Sequence, residues 1–162
     1  MTANEYNICV KEYADNVYRF IYKNMRHVED AEDVVQTAFQ KMWVNKDDVE
    51  FEKAKSYLFT IAYRQMIDNL RKIKRIHHKE EMPEMILGST QQNNTFLKKA
   101  LNEALNTLTD TQRHLVMLKD YEGYSYAEIA DIMELSESQV KVYLHRARAV
   151  LRNYLVSKEN VV

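Results

Sequence analysis

The chain has 162 residues, with 23 Lys and Arg against 24 Asp and Glu, so its net charge is near zero. Two glycines and one proline leave little material for hairpin turns, which argues against a sheet protein, and abundant Leu, Lys, Glu, Ala, Met and Gln favour helix. Cys9 stands alone, which excludes an intramolecular disulfide, and no run of about 18 apolar residues or signal peptide points to a membrane or to export. A cytoplasmic, all-α protein without membrane insertion is expected.

The first element is a helix over residues 8–25, with Tyr13, Val17, Phe20 and Ile21 facing inward. A short break follows at His27 to Glu29. Asp30 is placed to cap a second helix, whose stripe is Ala31, Val34, Val35, Ala38, Phe39 and Met42. That helix stops at Asn45-Lys46-Asp47-Asp48. A polar segment precedes a third helix from about Ser56 to Ile73, with Leu58, Ala62, Met66, Leu70 and Ile73 as its buried stripe. Tyr57, Phe59 and Tyr63 lie off that stripe.

Around residue 75 the pattern breaks. Residues 76–95 contain Pro83, Gly88-Ser89 and Gln91-Gln92-Asn93-Asn94, and read as a flexible linker. Such a coil spans about 25 Å on average and about 70 Å when stretched. Helical spacing returns at Leu97, Leu101, Leu105 and Leu108. The expected organisation is therefore two small helical domains, 1–75 and 96–162, joined by that linker. Each is small enough to bury only about 60 % of its unfolded surface.

Three helix-start signatures crowd the second domain. Thr109-x-x-Gln112, Ser125-x-x-Glu128 and Ser136-x-x-Gln139 all fit the capping box, in which a hydroxyl and a Glu or Gln satisfy each other's orphan amides. Ile129, Ala130 and Met133 line the middle helix; Val140, Leu144, Ala147 and Leu151 line the last. A short helix, a tight turn and a longer basic helix make a helix-turn-helix, whose second helix enters the DNA major groove. Positions 138, 141, 142, 145 and 148 lie opposite the apolar stripe.

Charge is unevenly spread. Between Arg64 and Lys79 lie Arg64, Arg71, Lys72, Lys74, Arg75 and Lys79, with Asp68 as the only acid. Residues 137–152 hold Lys141, Arg146, Arg148 and Arg152 against Glu137. The stretch from Glu29 to Glu52 is acidic. One basic surface on each domain suits an extended polyanion bound at two places. Aromatics beside the first basic run suit stacking of unpaired bases. No Ser/His/Asp, paired-carboxylate or phosphate-loop arrangement is present, so an enzyme is not expected. His77 and His78 with Cys9 and His27 match no standard metal site, so neither metal nor cofactor is expected.

These blocks resemble the extracytoplasmic-function (ECF) sigma factors of bacterial RNA polymerase over nearly the whole chain. Asp30-Ala31-Glu32-Asp33-Val34-Val35-Gln36-Thr37-Ala38-Phe39-Gln40-Lys41-Met42-Trp43 is similar to the family's first-domain signature. Tyr57 through Arg71 resembles its next block, and Tyr126 through Arg148 its C-terminal block. There are departures: Tyr57 replaces a usual Trp, Arg64 a usual Asn, and Glu134 a common Gly at the turn, where a strained non-Gly conformation is expected.

The resemblance implies a promoter-specificity subunit. Asp33, Gln36, Gln40 and Trp43 would face the clamp of the polymerase's largest subunit. Trp43 could equally be a half-buried helix-end anchor. The segment from about Asn45 to Lys55 would hold a flipped base of the −10 element, and Tyr57, Thr60, Tyr63, Arg64, Arg71 and Lys72 would engage the opened strand. Lys141, Val142, His145 and Arg146 would face the −35 major groove, with Gln139, Tyr143 and Arg148 near its backbone. The second domain would also meet the polymerase flap, and an anti-sigma factor is an expected partner. Without the first-domain signature, the residues would equally suit a helix-turn-helix activator with an N-terminal dimerisation or sensor domain.

Overall fold

The computed structural model describes residues 1–76 and 96–159, which fall into two compact units on either side of segment 77–95. His77, His78 and the expected linker from 77 onward lie outside the described residues. Every regular element among the described residues is helical.

In the first unit α1 spans Ala3–Met25, α2 Val28–Val44 and α3 Ala54–Ile76. Helix α1 begins five residues earlier than the apolar spacing alone indicates. The reason is a capping box: Glu5 N donates to Thr2 Oγ1 at 3.2 Å, and Thr2 N donates to Glu5 Oε2 at 2.8 Å. The helix ends at Arg26, whose left-handed backbone (φ 61°) turns the chain. Helix α2 then opens on His27 rather than Asp30. His27 Nδ1 accepts the Asp30 amide at 3.3 Å, so Asp30 occupies the third helical position as the donor of that cap. Between α2 and α3 the chain makes two short 3₁₀ turns, Lys46–Asp48 and Phe51–Lys53.

The three helices pack on one another around Cys9, Val17, Phe20, Ile21, Val34, Ala38, Met42, Leu58, Phe59, Ala62 and Met66. Phe59 meets Phe20 edge-on, ring centres 6.0 Å apart, an arrangement worth about 0.5–1.5 kcal/mol beyond burial. Phe59 is thus a core residue and no part of a stacking surface. Leu70 and Ile73 are only half-buried, because α3 runs on past the layer that covers its first half.

In the second unit α4 spans Phe96–Asn106, α5 Asp110–Val116, α6 Tyr126–Met133 and α7 Glu137–Glu159. A single π-helical turn, Met117–Tyr121, follows α5 directly. Helices α4, α5 and α6 all pack on α7. Val140, Leu144 and Ala147 are its buried stripe, while Leu151 is half-covered. The Thr109/Gln112 and Ser136/Gln139 boxes close reciprocally. The Ser125 box closes on one side only: Glu128 N donates to Ser125 Oγ, but the Glu128 carboxylate accepts the Ser125 hydroxyl instead of its amide.

The turn between α6 and α7 passes through Glu134 in the left-handed region (φ 57°, ψ 46°), as expected where glycine is common. Glu134→Gly is expected to stabilise this unit by up to about 1 kcal/mol, and Glu134→Val to destabilise it by about 1–2 kcal/mol. Urea unfolding of the two variants checks both signs.

Helix α5 also buries a titratable group. His114 is 2 % exposed. Burial first, then the neighbouring Arg113 cation, lower its pKa from 6.5 to about 4. The fold therefore holds a neutral imidazole, and the unfolded chain binds the extra proton. Stability is full above about pH 6.5 and falls as pH drops toward 4, by about 2 kcal/mol between pH 8 and 5. Urea unfolding followed at the α5–α7 amides by NMR should show this loss, and His114→Leu should abolish it.

Candidate nucleic-acid and polymerase interface

The spacing 33, 36, 40, 43 gives one stripe of α2. Asp33, Gln36, Gln40 and Trp43 are all exposed along it, opposite the buried Val34, Ala38 and Met42. Trp43 is 44 % exposed yet well seated. The Tyr6 ring lies edge-on to it with centres 4.9 Å apart, and Lys46 Nζ sits 4.9 Å from the indole centre. Tyr6 in turn donates its hydroxyl to Phe39 O at 2.9 Å. Trp43 is therefore both an anchor and an exposed surface. Tyr6 escaped the sequence reading because the start of α1 was set by polar capping residues, not by an apolar stripe.

Immediately after α2 the chain encloses an open cavity of about 440 Å³, lined by Asn45, Asp48, Val49, Glu50, Lys53 and Tyr57. Its wall is fixed from behind. The N-terminal ammonium donates to Lys46 O at 2.9 Å and Val49 O at 3.1 Å, and Asn45 Nδ2 donates to Lys41 O at 3.0 Å. Val49 is buried, while Glu50 and Lys53 form an exposed ion pair at 3.3 Å. The cavity thus offers carboxylate and amide groups on a braced backbone. The sequence named this segment but not which of its side chains converge.

Along α3, Tyr57, Thr60 and Tyr63 are half-buried and Arg64, Arg71 and Lys72 exposed. Tyr57 reaches the cavity. Thr60 donates its hydroxyl to Ser56 O at 2.8 Å, and Tyr63 leans against Phe20 with ring centres 6.4 Å apart. The cationic run therefore starts about two turns beyond the cavity, on the same helix.

On α7, Gln139, Lys141, Val142, His145 and Arg146 are exposed, and Tyr143 and Arg148 half-buried. Gln139 Oε1 accepts the Ser136 amide, so this side chain holds the helix start. Arg148 forms a two-pronged pair with Asp120, at 2.6 and 3.3 Å. That hydrogen bond, against an opposing effect of burial and with the Asp120 charge, raises the Arg148 pKa. Asp120 was not singled out from sequence, since nothing in a linear pattern ties the turn after α5 to a residue 28 positions on.

The model of sigma-70 region 2 matches residues 9–76, and that of sigma-70 region 4 matches residues 98–151. The ECF RNA polymerase sigma factor SigM of Bacillus subtilis (strain 168) is 30 % identical over 86 % of this chain and 88 % of its own length. The chain belongs to the ECF sigma factors.

SigW of the same organism is 29 % identical over 88 % of this chain and 84 % of its own. The fold is shared with solved structures, a sigma factor among them. RpoE, crystallised with the anti-sigma factor NepR from Bartonella quintana, matches with a TM-score of 0.82 at 24 % identity, covering 94 % of this chain and 98 % of that one. CnrH, solved with the cytosolic domain of CnrY, matches at 0.67 and 22 %, covering 94 % and 88 %. A sigma factor is a non-enzymatic initiation factor that directs RNA polymerase to promoters, and this chain is one. No helix among the described residues of this sigma factor is long and apolar enough to cross a membrane.

Because Trp43 is the sigma factor's single tryptophan, its seat can be read directly. Tyr6→Ala is expected to shift Trp43 emission to the red with little loss of helical circular dichroism. Tyr6→Phe keeps the ring and should leave the emission in place, while the loss of its hydrogen bond costs about 0.5–1.5 kcal/mol of stability. Unchanged emission in Tyr6→Ala would show that the indole does not rest on Tyr6.

Proposed function

We propose that the two units divide promoter recognition between them. The α2 stripe of Asp33, Gln36, Gln40 and Trp43 docks on the clamp of the polymerase's largest subunit. The cavity beside it receives a base extruded from the −10 element, and Tyr57, Thr60, Tyr63, Arg64, Arg71 and Lys72 follow the opened strand. Extruding a base costs a few kcal/mol, which capture in a braced cavity and stacking must offset. The second unit meets the flap and lays α7 in the −35 major groove. There Lys141, Val142, His145 and Arg146 face the bases, and Gln139, Tyr143 and Arg148 lie near the backbone. No catalytic step is assigned to the chain itself.

The observation that supports this reading best is the cavity. It lies between the docking stripe on α2 and the cationic run on α3, where melted strand would leave the clamp. The domains follow the same division: 1–75 for polymerase and the −10 element, 96–162 for the −35 element, with 76–95 between them. We further propose an anti-sigma partner, by likeness to RpoE, which was solved with the anti-sigma factor NepR. The site of action is the bacterial cytoplasm, where polymerase and promoters are.

In vitro transcription with purified core polymerase tests the whole reading. The chain should give start-site-specific transcripts, and none would overturn it. Three variants separate the parts. Gln36→Ala should weaken core binding without altering the fold. Tyr57→Ala should leave core binding intact but reduce permanganate reactivity of the −10 strand. Arg146→Ala should lower promoter affinity by about 1–3 kcal/mol and relax the −35 preference.

A further inference from the structure

Several of the polar side chains that face outward from α7 are already engaged. Gln139 holds the helix start through the Ser136 amide. Lys141 Nζ sits 5.4 Å from the centre of the Tyr126 ring, where Lys119 Nζ also lies, at 4.5 Å. Arg148 is held by both carboxylate oxygens of Asp120. Among the described residues, His145 and Arg146 have no such partner. One turn before them stands Val142, an apolar side chain that is 46 % exposed.

Nothing in the packing of the second unit asks for an apolar residue there. The positions three and four away from Val142 on the helix surface are Ser138, Gln139, His145 and Arg146, all exposed and polar. The buried stripe of Val140, Leu144 and Ala147 runs along another side. The next exposed large apolar residue of α7 is Val150, about two turns on, so Val142 is isolated and belongs to no continuous patch of the size that docks a protein. Valine is also a poorer helix former than the Lys, Gln or Arg that serve a solvated face. Its branched side chain is nearly fixed about χ1 in a helix, so it presents a rigid isopropyl group with little entropy to lose on contact.

The major groove carries a matching group. Base edges there are read mostly through hydrogen-bond donors and acceptors, and the C5-methyl of thymine is the apolar exception. We propose that Val142 is a specificity-determining residue that seats against the methyl group of one thymine in the −35 element. The inference rests on the reading of α7 as the helix in the −35 major groove, and it names one base which that helix selects. His145 and Arg146, one turn further on, supply the polar contacts beside it. Deoxyuridine lacks the methyl group but keeps every donor and acceptor of thymine, so it isolates this one contact.

The test uses holoenzyme assembled from core polymerase and the full chain. Tightly bound sequences are drawn from a pool of duplexes with random bases. In the best-bound duplex each thymine is replaced in turn by deoxyuridine, and affinity is read from the fluorescence anisotropy of a fluorescein label. One −35 thymine should lose about fourfold in affinity on replacement, the worth of one buried CH₂-sized group. With Val142→Ser the thymine and deoxyuridine duplexes should bind equally, whereas Val142→Ile should keep the preference for thymine. Arg146→Ala should weaken binding to both duplexes and leave their ratio near fourfold. Circular dichroism of each variant shows whether the fold is kept. A selected −35 element without a sensitive thymine, or a fourfold loss that persists in Val142→Ser, overturns the methyl contact while the placement of α7 stands. If the holoenzyme selected no −35 sequence at all, that placement itself would fail.

Discussion

Burial of one face of each helix is the constraint on which the exposed surfaces of both units depend, and side-chain caps fix where the helices begin. Each residue advances a helical side chain by about 100°, so the residues buried on one face fix which residues are exposed on the other. Thr2/Glu5, Thr109/Gln112 and Ser136/Gln139 each fix a start by two reciprocal bonds, and His27 fixes another through the Asp30 amide. A cap is worth about 1 kcal/mol, which is small against a core. The stripe 33–36–40–43 lies opposite the buried Val34, Ala38 and Met42, and the stripe 141–142–145 opposite the buried Val140, Leu144 and Ala147.

The arrangement also explains which features the sequence made legible. Spacing alone revealed the apolar faces of α1, α2 and α7, because burial on one side of a helix leaves a periodic trace. The Thr109/Gln112 and Ser136/Gln139 caps were legible because they are local and polar, whereas the Thr2/Glu5 box at the start of α1 was passed over. Phe59 was ambiguous since aromatic residues serve both cores and nucleic acids, and only the Phe20 ring on another helix decides it. Tyr6 beside Trp43, Asp120 beside Arg148 and the two lysines around Tyr126 were invisible in a linear reading. Each joins elements whose sequence separation carries no period. The family resemblance supplied the docking stripe and the base-capturing segment, which physics read from one sequence would have left as solvated residues.

Polar groups in this protein are placed unequally with respect to charge. The second unit buries Arg113, paired at 2.8 Å with the exposed Asp110, and holds the adjacent His114 neutral. The acidic face of α2 and the cations of α3 and α7 remain in water, where isolated pairs contribute about 0–1 kcal/mol. Surface charge here therefore contributes little to folding. Its physical effect is on encounter and orientation, since a polyanion releases counterions whenever it meets an ordered cation.

That view accounts for the contrast between Arg148 and the lysines near it. A guanidinium in a two-pronged carboxylate pair is already geometrically satisfied, and turning it toward a phosphate would exchange one charge-assisted pair for another with little net gain. An ammonium over a ring keeps its charge uncompensated, with N–H groups left for an outside acceptor. The same surface thus holds one cation that braces the fold and two held over the Tyr126 ring. What distinguishes them is the presence of Asp120, a single carboxylate in the turn after α5.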